Sequence, residues 1–170
     1  MGKDKETLKP PGYFLQPGFI YMPHVPTIIS AVLGSSVAVC LFDSKLKTGG
    51  MNHFRIPESQ GGLRRTTMFG DISTRTLIKM MTSEGSKIKN LEAQIIGGAM
   101  NSEVMKEDIG AENVKIARTV LEKAGIRIAS EDTGGEKGRK VVFDTSINTT
   151  AVIKVEKLRA GDWYPYEDSR

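Results

Sequence analysis

The apolar and polar positions of the chain divide it into short segments, some with strand period and some with helical period. Residues 36–43, SVAVCLFD, form an apolar, β-branched run of strand length. GGMNHFRIP (49–57) is a second such run after the polar turn SKLKT, so the two are expected to pair as a hairpin. YFLQPGFIYM (13–22) reads as short extended pieces broken at Pro17 and Gly18. ESQGGLRRTTMFGD (58–71) has no apolar period and reads as a long surface loop. Helical spacing then places Ile72, Leu77, Ile78 and Met81 on one face, with Asp71 as N-cap and Gly85 as stop. NLEAQIIGGAM (90–100) predicts a strand running into a double glycine. In AENVKIARTVLEKAG (111–125), Val114, Ala117, Val120, Leu121 and Ala124 share a helical face, and Gly125 suits the left-handed stop. Residues 126–132 alternate as a strand, and 139–145 with 150–158 make a closing hairpin. This order of elements implies a single α/β (α+β) layered domain, with mixed sheets and helices packed on them. Residues 1–12 are expected to be a flexible leader, 13–158 the domain, and 159–170 a polar surface tail.

Composition narrows the class of partner. The 170 residues are 39% hydrophobic and 26% charged, enough for one real core and unlike a disordered chain. The net charge is +4, but basic and acidic residues alternate, so a solvated surface is favoured over nucleic-acid binding. The single cysteine excludes an internal disulfide, and no Cys/His cluster suggests a metal or other cofactor. No apolar run approaches the ~20 residues of a membrane span. The start, MGKDKETLKP, is too polar for a signal peptide and lacks the hydroxyl residue of a myristoylation site, so a cytoplasmic location is expected.

Candidate chemistry concentrates in AVLGSSVAVC (31–40), where a glycine and two serines interrupt an apolar run that ends in the only cysteine. Acyl transfer needs a nucleophile, a base and donors for the developing oxyanion. His24, between two prolines, suits a structural or solvent-facing role. His53 lies in the second strand of the expected hairpin and Ser36 at the start of the first, so pairing lets their side chains meet. Gly34 allows close backbone approach to a substrate. Cys40, about 13 Å along the strand from Ser36 at ~3.3 Å per residue, reads as a buried packing residue too distant to serve.

LGSSVAVCLFD, GGMNHFRIP, AQIIGGAM, DIGAENV and SEDTGGEKGR, in this order, resemble the bacterial CheD family over residues 12–157. The resemblance implies a CheD-like sandwich that deamidates glutamines of methyl-accepting chemoreceptors and also binds the CheC phosphatase. It implies a Cys-His mechanism without a cofactor. The family pattern Gly-Ser-Cys-Val-Ala-Val-Cys places the nucleophile at Ser36, the general base and acid at His53, and an orienting hydroxyl, usually threonine, at Ser30. The oxyanion would be held by main-chain N–H groups around Gly34, Ser35, Ser36 and Val37. GGAM (97–100) and EDTGG (131–135) are simple strand-end turns on their own, and by the resemblance help to shape the site. LRR (63–65) is an ordinary solvated loop or a contact for an acidic helical receptor.

Serine at position 36 changes the expected chemistry. A thiol ionises near pH 8.5 and a neighbouring histidine lowers it, whereas a hydroxyl stays protonated and needs strong base assistance. A site shaped for sulfur also leaves oxygen short of the carbonyl carbon, and ~1 Å of misplacement costs about 10²-fold. Two readings follow: an impaired glutamine deamidase, or a non-catalytic CheD-like module that binds receptor or CheC.

Overall fold

Residues 37–43 are buried at every position, because this strand packs on both of its faces. The protein is described by a computed structural model covering residues 9–58 and 65–163. In chain order the strands are β1 (Gly12–Phe14), β2 (Ile20–Tyr21), β3 (Ile28–Leu33), β4 (Val37–Asp43), β5 (Thr48–Asn52), β6 (Leu91–Gly97), β7 (Arg127–Thr133), β8 (Gly138–Asp144) and β9 (Thr149–Val155). The helices are α1 (Gly70–Ser83), α2 (Ile109–Lys123) and the short α3 (Ala160–Trp163), with one 3-10 turn at Ile88–Asn90. One sheet has the order β1-β3-β8-β9 and the other β2-β5-β4-β6-β7. Pairs β1/β3 and β6/β7 are parallel and the remaining pairs antiparallel, so both sheets are mixed.

Strand alternation explains the three layers. Val37, Val39 and Leu41 of β4 meet Leu77, Met81, Val114, Ala117 and Leu121 of the helices. Ala38, Cys40 and Phe42 face the other sheet and meet Leu15, Ile29, Ala31, Leu33, Val141 and Phe143. Helices, five-stranded sheet and four-stranded sheet therefore stack in that order, as the expected α/β (α+β) class requires. Each large apolar side chain so buried contributes about 1.5–3 kcal/mol.

Most expected elements are present, and the differences have physical causes. The 36–43 and 49–57 runs do pair as a hairpin, in the register Cys40↔Met51 to Asp43↔Thr48. The second strand is shorter than expected, ending at Asn52, with the pairing to the first carried on only by the isolated Val37–Phe54 bridge. The pattern predicts no strand at Ile28–Leu33, where Ser30 breaks the apolar run, yet β3 alternates regularly between half-buried and buried positions. Asp71 is not the cap of α1. Phe69 occupies that position without a side-chain bond, and Asp71 lies in the first turn, where its charge favours the helix dipole. Gly85 and Gly125 follow α1 and α2 with φ of 102° and 75°, as expected of stops. Helix α2 begins earlier than expected, capped by Asp108, whose side chain accepts from the Ala111 N–H at 2.9 Å.

Both ends of the expected domain are more structured than the pattern suggests. Gly12, placed in the leader, starts β1, and the Pro11 carbonyl accepts from the Ile28 N–H at 2.9 Å. Trp163, placed in the surface tail, is buried against Ala99 and Met105. A polar segment carrying one large aromatic folds back because the indole fills an apolar recess beside β6. Of LRR, only Arg65 falls among the described residues, and it is exposed; Leu63 and Arg64 lie outside them.

Candidate active site

Residues 34–36 carry the chain from β3, in one sheet, to β4, in the other, so they form a crossing at one end of the sandwich. Contacts from both sides hold this crossing. The N–H groups of Gly98 and Ala99 donate to the carbonyls of Ser36 and Gly34 at 2.9 and 3.0 Å. Gly97 adopts φ 113°, and a Cβ there would collide with the Ser36 carbonyl oxygen, so glycine is required by both conformation and space. On the other side, the Asp162 carbonyl of α3 occupies the space a Cβ at Gly34 would fill, and the Ser35 hydroxyl donates to the Trp163 carbonyl.

His53 reaches this crossing through the hairpin. Val37 and Phe54 exchange N–H···O bonds, both at 3.0 Å, and continue the register of β4 and β5 past Asn52. In that register Ala38 stands opposite His53, and Ser36 and Cys40 are its two diagonal neighbours on the same face. On the other flank the His53 N–H donates to the Phe19 carbonyl at 3.1 Å, and its carbonyl accepts from the Gly18 N–H at 2.8 Å. Ser36 and His53 are almost wholly buried, at 4% and 1% exposure.

The ring makes two hydrogen bonds. Nδ1 lies 3.2 Å from the Leu15 carbonyl oxygen and Nε2 lies 3.0 Å from Ser36 Oγ. Burial pushes the His53 pKa down to about 4; the nearby Arg55 charge adds to the depression, and the Leu15 carbonyl opposes it. The imidazole is therefore neutral at pH 7. Because a carbonyl only accepts, the single ring proton sits on Nδ1, leaving the Nε2 lone pair to accept from the Ser36 hydroxyl. This is the protonation state a general base needs.

The remaining sequence candidates separate clearly. Ser30 lies on β3 opposite in direction to Ile29, Ala31 and Leu33, which fill the layer between the sheets. Its hydroxyl does not bond the ring. The Ser30 carbonyl instead accepts from the Leu15 N–H at 2.8 Å, so Ser30 reaches His53 through the main chain of Leu15. The orienting group expected from a side chain is thus a backbone carbonyl. Of the expected oxyanion donors, the Val37 N–H is already used by Phe54. Among the described residues, those of Ser35 and Ser36 have no acceptor.

Cys40 is fully buried in the inter-sheet core, and burial pushes its thiol well above the ordinary range. The expected buried packing residue is what the structure shows, but the distance argument needs correcting, since by register Cys40 and Ser36 are equivalent diagonal neighbours of His53. What removes it is its apolar surroundings and a ring turned the other way. His24 is exposed. The two glycine turns join each other, Gly134 N–H to the Gly97 carbonyl at 3.0 Å, and border a cavity of about 190 Å³ lined also by Asp108 and Arg118. No group of three or more His, Cys, Asp or Glu side chains among the described residues is placed to hold a metal ion. None of the helices among them is long and apolar enough to cross a membrane.

Two buried asparagines brace the site and escaped the sequence reading. Asn52 Oδ1 accepts from the Val39 N–H at 2.7 Å, replacing a ladder bond, and its Nδ2 donates to Thr74 of α1 at 3.3 Å. Asn113 of α2 donates to the carbonyls of both Ser35 and Arg55. A signal existed for Asn113, because it falls on the same helical stripe as Ala117 and Val120, where a polar residue needs partners. None existed for Leu15, which contributes only a carbonyl.

At the end of an αββ sandwich, a buried hydroxyl–imidazole pair lies beside main-chain N–H groups that have no acceptor among the described residues, an arrangement whose parts match what acyl transfer requires. A model of the family described as CheD chemotactic sensory transduction matches residues 56–154. The chain is 35% identical over 137 residues to the chemoreceptor glutamine deamidase CheD of Thermotoga maritima, covering 81% of this chain and 87% of that protein. It is 36% identical over 165 residues to a probable chemoreceptor glutamine deamidase CheD of Rhodospirillum rubrum, covering 94% and 93%. A probable chemoreceptor glutamine deamidase CheD of Archaeoglobus fulgidus is 39% identical over 117 residues, 67% of this chain and 74% of that protein. The chain belongs to the CheD family.

Proposed function

We propose that this protein carries the site of a chemoreceptor glutamine deamidase, with turnover impaired by serine at position 36. The observation that supports this most directly is the 3.0 Å contact between Ser36 Oγ and a His53 Nε2 whose other nitrogen is held by Leu15. In the full reaction the group at position 36 attacks the side-chain amide carbon of a receptor glutamine. His53 Nε2 takes its proton and delivers it to the departing ammonia. The N–H groups of Ser35 and Ser36 hold the oxyanion. His53 then takes a proton from water, which hydrolyses the acyl intermediate to glutamate. With an oxygen nucleophile the first step is slow, because the hydroxyl must lose its proton to a base whose affinity for protons is depressed by burial.

The test is a receptor fragment incubated with the unaltered chain and with Ser36→Cys, followed by the +1 Da mass change and ammonia release. The cysteine variant is expected to deamidate at least about 10²-fold faster. A second reading, favoured by Ser36 itself, is a non-catalytic module that binds the receptor or a CheC-type phosphatase. It predicts binding with no deamidation by either form. Activity of the serine form that disappears in His53→Ala would instead make this a serine amidohydrolase.

A further inference from the structure

A hydrogen-bonded bridge enters the site from the helix layer. Asn113, fully buried on α2, donates from Nδ2 to the Ser35 carbonyl and to the Arg55 carbonyl, each at 2.9 Å. Both amide protons are thereby used, one on each side of the dyad. Ser35 precedes the nucleophile position, and Arg55 follows His53 by two residues and stands opposite Ser36 in the hairpin register. Beyond the Val37–Phe54 pair the two segments share no main-chain bond among the described residues, so the Asn113 amide is what spans them there. Its Oδ1 is buried without a partner. An apolar residue on this stripe would leave the Ser35 and Arg55 carbonyls, which accept from no other main-chain donor among the described residues, without a partner, so this one amide is what ties the two segments together.

We infer that Asn113 is a positioning residue for the Ser36–His53 pair. By tying the carbonyls of Ser35 and Arg55 to one amide, it closes the open end of the hairpin and sets the spacing between Oγ and Nε2. It touches neither reacting atom and acts through the two segments that carry them. The inference rests on the dyad proposed above and assigns the element that assembles it.

The test uses the Ser36→Cys chain, in which Cys40 is buried and the thiol introduced at position 36 is the reactive one. The rate of iodoacetamide alkylation at position 36 is followed by peptide mass from pH 6 to 9, in that parent and with Asn113→Ala, His53→Ala or both. Melting curves identify the folded variants, and Asn113→Ser, which keeps one donor, replaces the alanine variant if that unfolds at the assay temperature. The parent is expected to react below the ordinary thiol range. The Asn113 variant is expected to lose about tenfold in rate at pH 7, one unit of thiol pKa, with its midpoint moving towards about 8.5. Adding the Asn113 change to His53→Ala is expected to alter the rate less than about twofold, because Asn113 acts through the pair. An Asn113 variant with the parent's profile, or an equal loss with and without His53, overturns the inference. A parent that already titrates as an ordinary thiol overturns the dyad reading instead. An Asn113-dependent profile without receptor deamidation upholds the inference while removing the proposed function.

Discussion

Ser36 and Cys40 stand four residues apart, flank the same position opposite His53, and are both almost inaccessible to solvent. Chemically they are opposites. Ser36 ends a three-residue crossing between sheets, where unpaired N–H groups and an imidazole nitrogen surround its oxygen. Cys40 lies inside β4 with Leu33, Ala38 and Phe143, where burial outweighs the one hydroxyl, of Thr150, that favours its thiolate. The intrinsically better nucleophile therefore sits in the worse environment. The difference teaches that the place in the fold, more than the residue type, decides which group is set to react: burial suppresses the thiol, while an imidazole nitrogen stands at the hydroxyl.

The largest effect that bears on this contrast is catalytic. In the Ser36→Cys chain, His53→Ala is expected to reduce deamidation by roughly 10²–10⁴-fold, and Cys40→Ala by less than about twofold, in mass-spectrometric initial rates. A large loss on changing Cys40 would break the contrast. Next comes the pH dependence of folding. The folded-state pKa of His53, about 4, lies below its ordinary 6.5, so the unfolded chain takes up the proton first as pH falls. The stabilisation is full above about pH 6.5, declines through the interval down to about 4 and then levels, a total of roughly 3 kcal/mol. Urea midpoints from pH 4 to 8 are expected to show this slope in the unaltered chain and to lack it in His53→Gln. Equal slopes would place the ring in contact with solvent. The smallest effect concerns packing. Cys40→Ser puts a hydroxyl into the inter-sheet core and is expected to cost about 1–3 kcal/mol in denaturant melts. In the Ser36→Cys background it leaves turnover below the melting range unchanged.

Much of the fold is legible in the residues because local period and burial agree. The run 36–43 reads as a strand, 111–125 as a helix, and the SKLKT turn joins a hairpin that does form. Where two demands share one stretch, legibility fails. Ser30 masks β3, and the polar residues around Trp163 mask a segment that packs on Ala99. The candidate pair itself was accessible from hairpin spacing and the motif order. The third member was not, because the group that holds Nδ1 is the Leu15 carbonyl, and a backbone oxygen has no residue type.

The residues alone thus establish a layered α/β domain with CheD-type motifs, a hydroxyl where a thiol nucleophile is expected, and one histidine within hairpin reach of it. Those properties depend on short-range period and on the chemistry of named side chains. The rest arises only when distant segments meet: a neutral His53 held from residue 15, a crossing braced by residues 98, 113 and 163, and a cysteine silenced by the opposite sheet. Each of these depends on desolvation and on main-chain partners brought from afar, and neither exists until the layers have closed.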